Sequence, residues 1–258
     1  MQTEKIVDHI VKELKQYCDE AGLKGFVVGV SGGIDSAVTS TLCAKTDKPV
    51  IVLNMPIHQA QKQDSLSTRH IDWLQHHFNN VRGMRVDLTS AFEGLKKTLP
   101  IEVQDDLSMA NTRSRLRMVT LYAIAGHHRF LVTGTGNKVE DFGVGFFTKY
   151  GDGGVDISPI ADLLKSEVTK LGKYLGIIDE IINAPPTDGL WNDNRTDESQ
   201  IGATYAELEW AMATVDNNSG DKLTQRQQEV LSIYHSFHDR NRHKMAPIPV
   251  IKIPDEWR

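Results

Sequence analysis

A short apolar run that breaks into a glycine turn and then into a helical pattern constrains this chain more than any other stretch. Residues 26–30 are Phe-Val-Val-Gly-Val, a composition typical of a central parallel strand that is buried on both faces. Ser31, Gly32 and Gly33 follow, and residues 36–44 have the pattern of a helix. Small residues between a strand and a helix N-terminus leave backbone N–H groups free to bind an anion. The stretch therefore predicts a phosphate-binding turn.

The residues around these glycines distinguish the turn from the Walker A loop, which needs a lysine after its last glycine. Here the sequence continues Ile34-Asp35-Ser36 instead. A carboxylate beside a phosphate repels it unless a cation lies between them, so Asp35 predicts Mg²⁺ at this loop. The alternative interpretation is a tight glycine turn that binds no ligand.

Strand patterns alternate with helical patterns along most of the chain. Helices are predicted at residues 3–21, 59–78, 89–99, 106–126, 166–175, 199–213 and 222–239, and strands at 26–30, 49–54, 81–88 and 130–136. Such alternation predicts an α/β fold with an open, mostly parallel sheet of about five strands flanked by helices. The sequence has no linker-like stretch between two cores, so we expect residues 1–258 to form a single domain.

The composition argues against several classes of protein. The 258 residues carry a formal net charge of −5, which argues against the basic surface of a nucleic-acid-binding protein. No apolar run approaches membrane-spanning length, and the N-terminus lacks the pattern of a signal peptide, so we expect no membrane partner. The cysteines, Cys18 and Cys43, form no Cys-x-x-Cys pair, so we expect neither zinc nor disulfides and predict a cytoplasmic location.

A second glycine-tipped strand end is predicted at residues 130–136, and a loop rich in glycine and aromatic residues follows at 143–158. In open α/β sheets, ligands bind beyond the carboxyl ends of strands where the strand order reverses. The two glycine-tipped ends can be neighbours at such a point. The loop is too polar for a core and too aromatic for a linker, so we interpret it as a binding loop.

Further motifs accompany the phosphate-binding turn. They are Asn111-Thr112-Arg113-Ser114-Arg115, Gly134-Thr135-Gly136-Asn137-Lys138-Val139-Glu140, Phe147-Thr148-Lys149-Tyr150-Gly151-Asp152, Ile157-Ser158-Pro159-Ile160-Ala161-Asp162-Leu163-Leu164-Lys165, Pro186-Thr187, Asp197-Glu198 and His243-Lys244. With them the chain resembles the NAD synthetases, which belong to the ATP pyrophosphatase (PP-loop) superfamily, over residues 26–244. The resemblance implies an adenine nucleotide alpha hydrolase-like fold and a ligase that uses ATP and ammonia to amidate deamido-NAD, releasing AMP and pyrophosphate.

The resemblance also implies roles for individual residues. The residues implied to bind ATP are Gly29, Val30, Ser31, Gly32, Gly33, Ile34, Asp35, Ser36, Thr135, Lys165 and Thr187. Those implied to bind deamido-NAD are Arg115, Lys149, Asp156, His243 and Lys244. Asp35 and Glu140 are implied to bind Mg²⁺, and Asp35, Lys149 and Asp152 are the catalytic candidates. The chain departs from the family pattern at residues 185–191 and at Met245, which affects the substrate end of the site.

Three alternatives remain open at the level of sequence. The same amidation can act on nicotinate mononucleotide, which is a smaller substrate. The chain can be another PP-loop ligase, such as a tRNA-thiolating enzyme, although it lacks a catalytic cysteine pair and is acidic. It can also be a nucleotide sensor without activity, although Asp35 and Glu140 argue against this because a sensor needs no metal at a scissile bond.

Two expectations concern partners. Residues 116–125 are apolar on nearly every side of a predicted helix, which favours a homodimer that covers the surplus face. The alternative is that residues 222–240 of the same chain cover it. The residues before the first strand are too few to form the glutaminase domain of glutamine-dependent relatives. We therefore expect free ammonia to be the nitrogen donor, with a separate glutaminase as a possible partner.

Overall fold

The computed structural model describes residues 1–58, 61–187, 196–217 and 223–258, and its architecture is the α/β fold predicted from the sequence. The sheet contains strands β1 (Phe26–Gly29), β2 (Val50–Asn54), β3 (Val81–Arg85) and β4 (Leu131–Thr133). They are all parallel, in the order β3-β2-β1-β4. The strand order reverses at β1, so the two glycine-tipped ends, those of β1 and β4, lie side by side as the sequence allows.

The sheet has one strand fewer among the described residues than the five expected. The segment that follows β4 in space makes only an isolated parallel bridge between Thr133 and Ile157. Two backbone hydrogen bonds form it, from Gly134 N to Ile157 O at 2.8 Å and from Asp156 N to Val132 O at 2.9 Å. Pro159, two residues after Ile157, has no N–H to continue the ladder of hydrogen bonds. This explains why no fifth strand forms beyond the bridge.

Ten α-helices surround the sheet in the described ranges. They are α1 (Thr3–Glu20), α2 (Ile34–Ala44), α3 (Gln61–His77), α4 (Thr89–Thr98), α5 (Asp106–His128), α6 (Lys165–Tyr174), α7 (Asp179–Ile182), α8 (Asp197–Ile201), α9 (Tyr205–Asn217) and α10 (Gln225–Met245). A π-helical turn spans Val139–Val144, after β4. In the part of the chain described here, no helix is long and apolar enough to cross a membrane.

The apolar side chains form one core on each face of the sheet. Phe26 and Val28 of β1 point to a core that α1, α2, α3 and α6 complete, whereas Val27 points to a core completed by α4 and α5. This alternation follows from the two-residue period of a strand, and both faces are buried because helices cover both. The sheet is thereby fixed from both sides, which fixes the positions of its carboxyl ends.

A third apolar cluster lies beyond the carboxyl ends of the strands. It joins the π-helical turn to α8, α9 and α10 through Val139, Val144, Ile201, Ala203, Tyr205, Leu208, Ala211, Met212, Val230 and Tyr234. These C-terminal helices form a wall opposite the sheet, and a large cavity lies between the two.

Helix α5 packs on β1 and β4 with one side and leaves much of its surface uncovered. Val119 is 57% exposed and Leu107 is 61% exposed. Helix α10, which the alternative interpretation would lay over α5, packs mainly on α9 and the π-helical turn. Within the predicted stretch 116–125, most large apolar side chains are partly buried against the core, and the exposed apolar surface is centred on Val119.

Candidate active site at the carboxyl ends of two strands

The phosphate-binding turn is held by hydrogen bonds among its own residues. Ser31 Oγ accepts from Gly33 N at 3.2 Å, and Ser36 Oγ donates to Gly33 O at 2.9 Å. Ser31 N donates back to Ser36 Oγ at 3.2 Å. Gly32 has a φ of 88°, in the left-handed region that favours glycine. The turn enters α2 through Gly33, so the helix N-terminus faces the same cavity.

Asp35 on α2 and Glu140 on the π-helical turn approach one another from the two neighbouring strand ends, and we refer to them as the carboxylate pair. Lys165, the first residue of α6, lies between them. Its Nζ is 2.5 Å from Asp35 Oδ2 and 3.1 Å from Glu140 Oε1. Burial alone would lower the pKa of the Lys165 ammonium, but the two adjacent carboxylates outweigh that effect and raise it above its usual value. Lys165 therefore remains charged.

Three residues that sequence reasoning did not assign complete this network. Asn137 Nδ2 donates to Asp35 Oδ1 at 3.2 Å, and its Oδ1 accepts from the backbone of Val139 and Glu140. Tyr205 Oη donates to Glu140 Oε1 at 2.5 Å and lies 3.4 Å from Asp197 Oδ2. Asn137 and Asp197 stand inside motifs visible in the sequence, whereas Tyr205 had no signal beyond its place within the helix predicted at 199–213.

The cavity is crowded with carboxylates. Besides the carboxylate pair it is lined by Asp141 and Asp152. Burial, and then the charges of Glu140, Asp152 and Asp35, raise the pKa of Asp141 to about 8. Burial also raises the pKa of the Asp35 and Asp152 carboxyls, so a cation bound beside them would favour their charged forms.

The carboxylate pair has the chemistry of a magnesium site. Its two side chains already converge on a cation, the Lys165 ammonium, and they offer only oxygen ligands. Across the described ranges, no group of three or more His, Cys, Asp or Glu side chains is placed to hold a metal. Mg²⁺ commonly binds one or two carboxylates together with substrate phosphates and water, so a pair of carboxylates next to a phosphate-binding turn fits it.

The glycine-rich loop is fixed by the first half of α5. Ser114 Oγ donates to Asp152 Oδ1 at 2.7 Å, and Thr148 Oγ1 donates to Asn111 Oδ1 at 2.6 Å. A side chain at Gly151 would collide with Ser114 Oγ, 2.2 Å from the position of its Cβ, so only glycine allows this approach. The motif at residues 111–115 thus holds the loop against the cavity.

Two lysines join this loop to the end of α10. Lys149 Nζ donates to His243 O at 2.8 Å, and Lys244 Nζ donates to Phe147 O at 2.7 Å. Arg115 Nε donates to Lys149 O at 3.3 Å. These contacts bring together four residues that the family resemblance assigned to the substrate end, although they come from three separate segments. The four are Arg115, Lys149, His243 and Lys244.

Most of the predicted site residues line one cavity of about 880 Å³. The predicted residues that contribute to its lining are Gly29, Val30, Ser31, Gly33, Ile34, Asp35, Ser36, Arg115, Thr135, Glu140, Lys149, Asp152, Lys165, Thr187, His243 and Lys244. Gly32 and Asp156 are not among the lining residues. Asp156 instead joins the loop to the sheet, since its carboxylate accepts from Val132 N at 2.7 Å and from Tyr122 Oη at 2.9 Å. Of residues 185–191, where the chain departs from the family pattern, 188–191 lie outside the described residues.

Comparison with known proteins assigns the chain to a family. The sequence model described as NAD synthase matches residues 6–247. The protein named NH(3)-dependent NAD(+) synthetase from Alkaliphilus metalliredigens (strain QYMF) is 37% identical over 253 residues, covering 95% of this chain and 98% of that protein. Its namesake from Syntrophomonas wolfei subsp. wolfei (strain DSM 2245B / Goettingen) is 36% identical over 264 residues and covers 100% of both.

A solved structure agrees with these sequence relatives. The structure of NMN synthetase from Francisella tularensis is 33% identical, covers 99% of both chains and has a TM-score of 0.84. The fold, the phosphate-binding turn, the carboxylate pair and these relatives lead to one conclusion: this chain belongs to the NAD synthase family.

Proposed function

We propose that the chain is an ammonia-dependent NAD synthetase, a ligase that amidates deamido-NAD with ammonia and converts ATP to AMP and pyrophosphate. The observation that carries the proposal is that a single cavity contains both the phosphate-binding turn after β1 and the carboxylate pair, in a member of the NAD synthase family. A turn of this kind binds anions, and the adjacent carboxylates supply a site for the cation that such anions need.

The proposed reaction proceeds in two steps because ammonia cannot displace oxide from a carboxylate. First, a carboxylate oxygen of the nicotinate group attacks the α-phosphorus of ATP. The bond from that phosphorus to the bridging oxygen breaks, and pyrophosphate leaves with the electron pair. Second, ammonia attacks the acyl carbon of the nicotinyl-adenylate, AMP leaves, and the nitrogen loses a proton to give the amide. The protein contributes by positioning and by neutralising charge.

In this proposal, residues 29–36 bind the ATP phosphates, and Thr135, Lys165 and Thr187 contact the nucleotide. Asp35 and Glu140 would hold Mg²⁺, which when bound neutralises charge on the phosphates near the bond that breaks. Lys149 and Asp152 lie on the loop that faces the reacting groups. Arg115, His243 and Lys244 form the substrate end with Lys149, whereas Asp156 supports it by anchoring the loop to β4.

Nicotinate mononucleotide is a second candidate substrate. The observation that favours it is the match to the Francisella tularensis structure, which covers 99% of both chains. The two substrates share the nicotinate carboxylate, so the proposed steps and residues are the same for both. They differ in the adenylate part, which only deamido-NAD presents to the substrate end.

We further propose that the protein is a cytoplasmic homodimer that uses free ammonia, supplied directly or by a separate glutaminase. The uncovered apolar face of α5 supports the dimer, because Val119 is 57% exposed in the single chain and a symmetric contact would bury it. Light scattering of Val119→Glu tests this surface. The matched control is Tyr174→Glu, an exposed residue of α6 on the other face of the sheet, which should remain dimeric.

The reaction itself is tested with purified protein, ATP, Mg²⁺ and ammonium chloride. We expect AMP and pyrophosphate in ³¹P NMR spectra only when a nicotinate substrate is present, and a higher kcat/KM for deamido-NAD than for nicotinate mononucleotide. A higher value for the mononucleotide would select the second candidate, and ADP with phosphate would refute both. Replacing ammonium chloride by glutamine should abolish turnover, and equal rates with both would refute the ammonia assignment.

A further inference from the structure

We propose that Tyr205 is a positioning residue that orients the carboxylate of Glu140 toward the divalent cation. The inference rests on the proposed function, because that function makes Asp35 and Glu140 the ligands of the cation. It adds a residue from α9, on the C-terminal wall of the cavity, to a site otherwise built at the carboxyl ends of β1 and β4.

The contacts of Glu140 show how its orientation is set. Tyr205 Oη donates to Glu140 Oε1 at 2.5 Å, and Lys165 Nζ reaches the same oxygen at 3.1 Å. Both bonds use Oε1, and neither uses Oε2, to which no described residue donates a hydrogen bond. A carboxylate on three rotatable side-chain bonds is flexible, so a second donor on one oxygen restricts where the other oxygen points.

The Tyr205 side chain is rigid enough for this role. It is 6% exposed and belongs to the apolar cluster formed by α8, α9, α10 and the π-helical turn. Its backbone N donates to Glu198 Oε1 at 2.8 Å, which fixes the start of α9. The Lys165 ammonium also lies 4.8 Å from the centre of the Tyr205 ring, so the ring contacts the cation that now occupies the carboxylate pair.

The hydroxyl also separates two acidic groups. Asp197 is buried, and its Oδ2 lies 3.4 Å from Tyr205 Oη. Glu140 Oε1 lies much closer to the same hydroxyl, at 2.5 Å. The single hydroxyl proton is therefore directed to Glu140. Without the hydroxyl, the two carboxylates would face each other across the space it leaves, so Glu140 would lose a donor and experience repulsion at the same time.

Replacement of Tyr205 by phenylalanine tests this role, since the ring and its packing remain and only the hydroxyl is lost. The probe is Mn²⁺ alone, titrated without nucleotide and followed by electron paramagnetic resonance. We expect Tyr205→Phe to bind Mn²⁺ about 10- to 100-fold more weakly, the usual effect of removing a hydrogen bond to a metal ligand. Tyr234→Phe is the matched control, a buried tyrosine of the same cluster whose ring stacks on His238, and it should bind Mn²⁺ normally.

A double-mutant cycle with Glu140→Gln separates the inference from the proposed function. If Tyr205 acts through Glu140, adding Tyr205→Phe to Glu140→Gln causes no further loss of Mn²⁺ affinity. If Glu140→Gln weakens binding but Tyr205→Phe does not, the inference is wrong while the ligand assignment stands. If Glu140→Gln has no effect, the ligand assignment itself is refuted.

A second measurement keeps the Tyr205 ring and hydroxyl and replaces only one ring hydrogen by fluorine, so it does not depend on the folding of a variant that lacks the hydroxyl. With 3-fluorotyrosine incorporated at position 205, its ¹⁹F signal should shift as Mg²⁺ is added, whereas the same label at position 234 should not respond. An unchanged signal at position 205 at saturating Mg²⁺ would overturn the inference.

Discussion

The two strand ends that face the cavity are stabilised in different ways. After β1, the turn is held by Ser31, Gly33 and Ser36, whose mutual hydrogen bonds span five residues or fewer. After β4, Glu140 is held by Lys165, 25 residues away, and by Tyr205, 65 residues away. The β1 end is therefore a local structure, whereas the β4 end exists only once distant segments have packed. The predictions below test this difference.

The largest effect is expected at Asp35, which belongs to both ends. Asp35→Asn removes one charge of the carboxylate pair, and we expect turnover to fall by about 10²- to 10³-fold, because fixed charge at a reacting phosphate contributes several kcal/mol. AMP formation at saturating Mg²⁺ measures it. The control is Asp162→Asn, whose exposed carboxylate pairs only with Lys138 in the described contacts. Near-normal turnover of Asp35→Asn would mean that the site has a different ligand set.

Asn137 connects the two ends, and its loss should affect stability as well as activity. Asn137→Ala leaves two backbone N–H groups without their acceptor and removes one of the donors to Asp35, so we expect the free energy of unfolding to fall by about 2–3 kcal/mol. Urea denaturation measures the change. Asn183→Ala, at an exposed asparagine, should change it by less than about 0.5 kcal/mol. Equal effects of the two variants would show that the two ends are not coupled through Asn137.

The β1 end also has support from α3, and one contact of that helix gives it a pH dependence. His70 of α3 is fully buried, its Nε2 is 3.0 Å from Ser40 Oγ of α2, and burial lowers its pKa to about 4 from 6.5. The unfolded chain then binds more protons than the folded chain between these values. Stability should fall by about 2 kcal/mol from pH 7 to pH 5 because of this residue.

His70→Gln, which has no titratable ring, should show a flatter dependence of the unfolding free energy on pH over the same range. His76→Gln, at an exposed position of the same helix, should retain the dependence of the original protein. Parallel curves for His70→Gln and the original protein would show that His70 is not the source of the acid sensitivity.

The smallest effect is expected within the turn itself. Gly32→Ala places a side chain at a φ of 88°, which should cost about 1–2 kcal/mol and raise the KM for ATP several-fold. Because the turn is local, Mn²⁺ binding at the carboxylate pair should change less than ATP binding. Gly94→Ala on α4 is the control, since its added Cβ meets no atom within 4 Å. A larger loss of Mn²⁺ than of ATP affinity would contradict the separation of the two ends.

The same difference explains what the sequence could predict. The α/β fold follows from local patterns, and the glycine turn after β1 follows from six consecutive residues, so both were predictable. Tyr205 was not, because nothing within its own segment indicates that its hydroxyl meets Glu140. The isolated bridge at Ile157 was not predictable either, because it depends on where the loop passes beside β4. Lys165 was expected on ATP, whereas its position between two carboxylates depends on the packing of α6 against α2.

The contacts of Lys149 and Lys244 have a consequence for the order in which the chain folds. They join segments that are 94 and 97 residues apart, and the Lys165–Asp35 contact spans 130 residues. Contacts that close such long loops form late, because the entropy of the intervening chain opposes them. A chain still being synthesised therefore acquires its phosphate-binding turn long before α10 arrives to complete the substrate end. Until then the Lys149 ammonium and the Phe147 carbonyl lack their partners from α10, so the substrate end is the last part of the cavity to form.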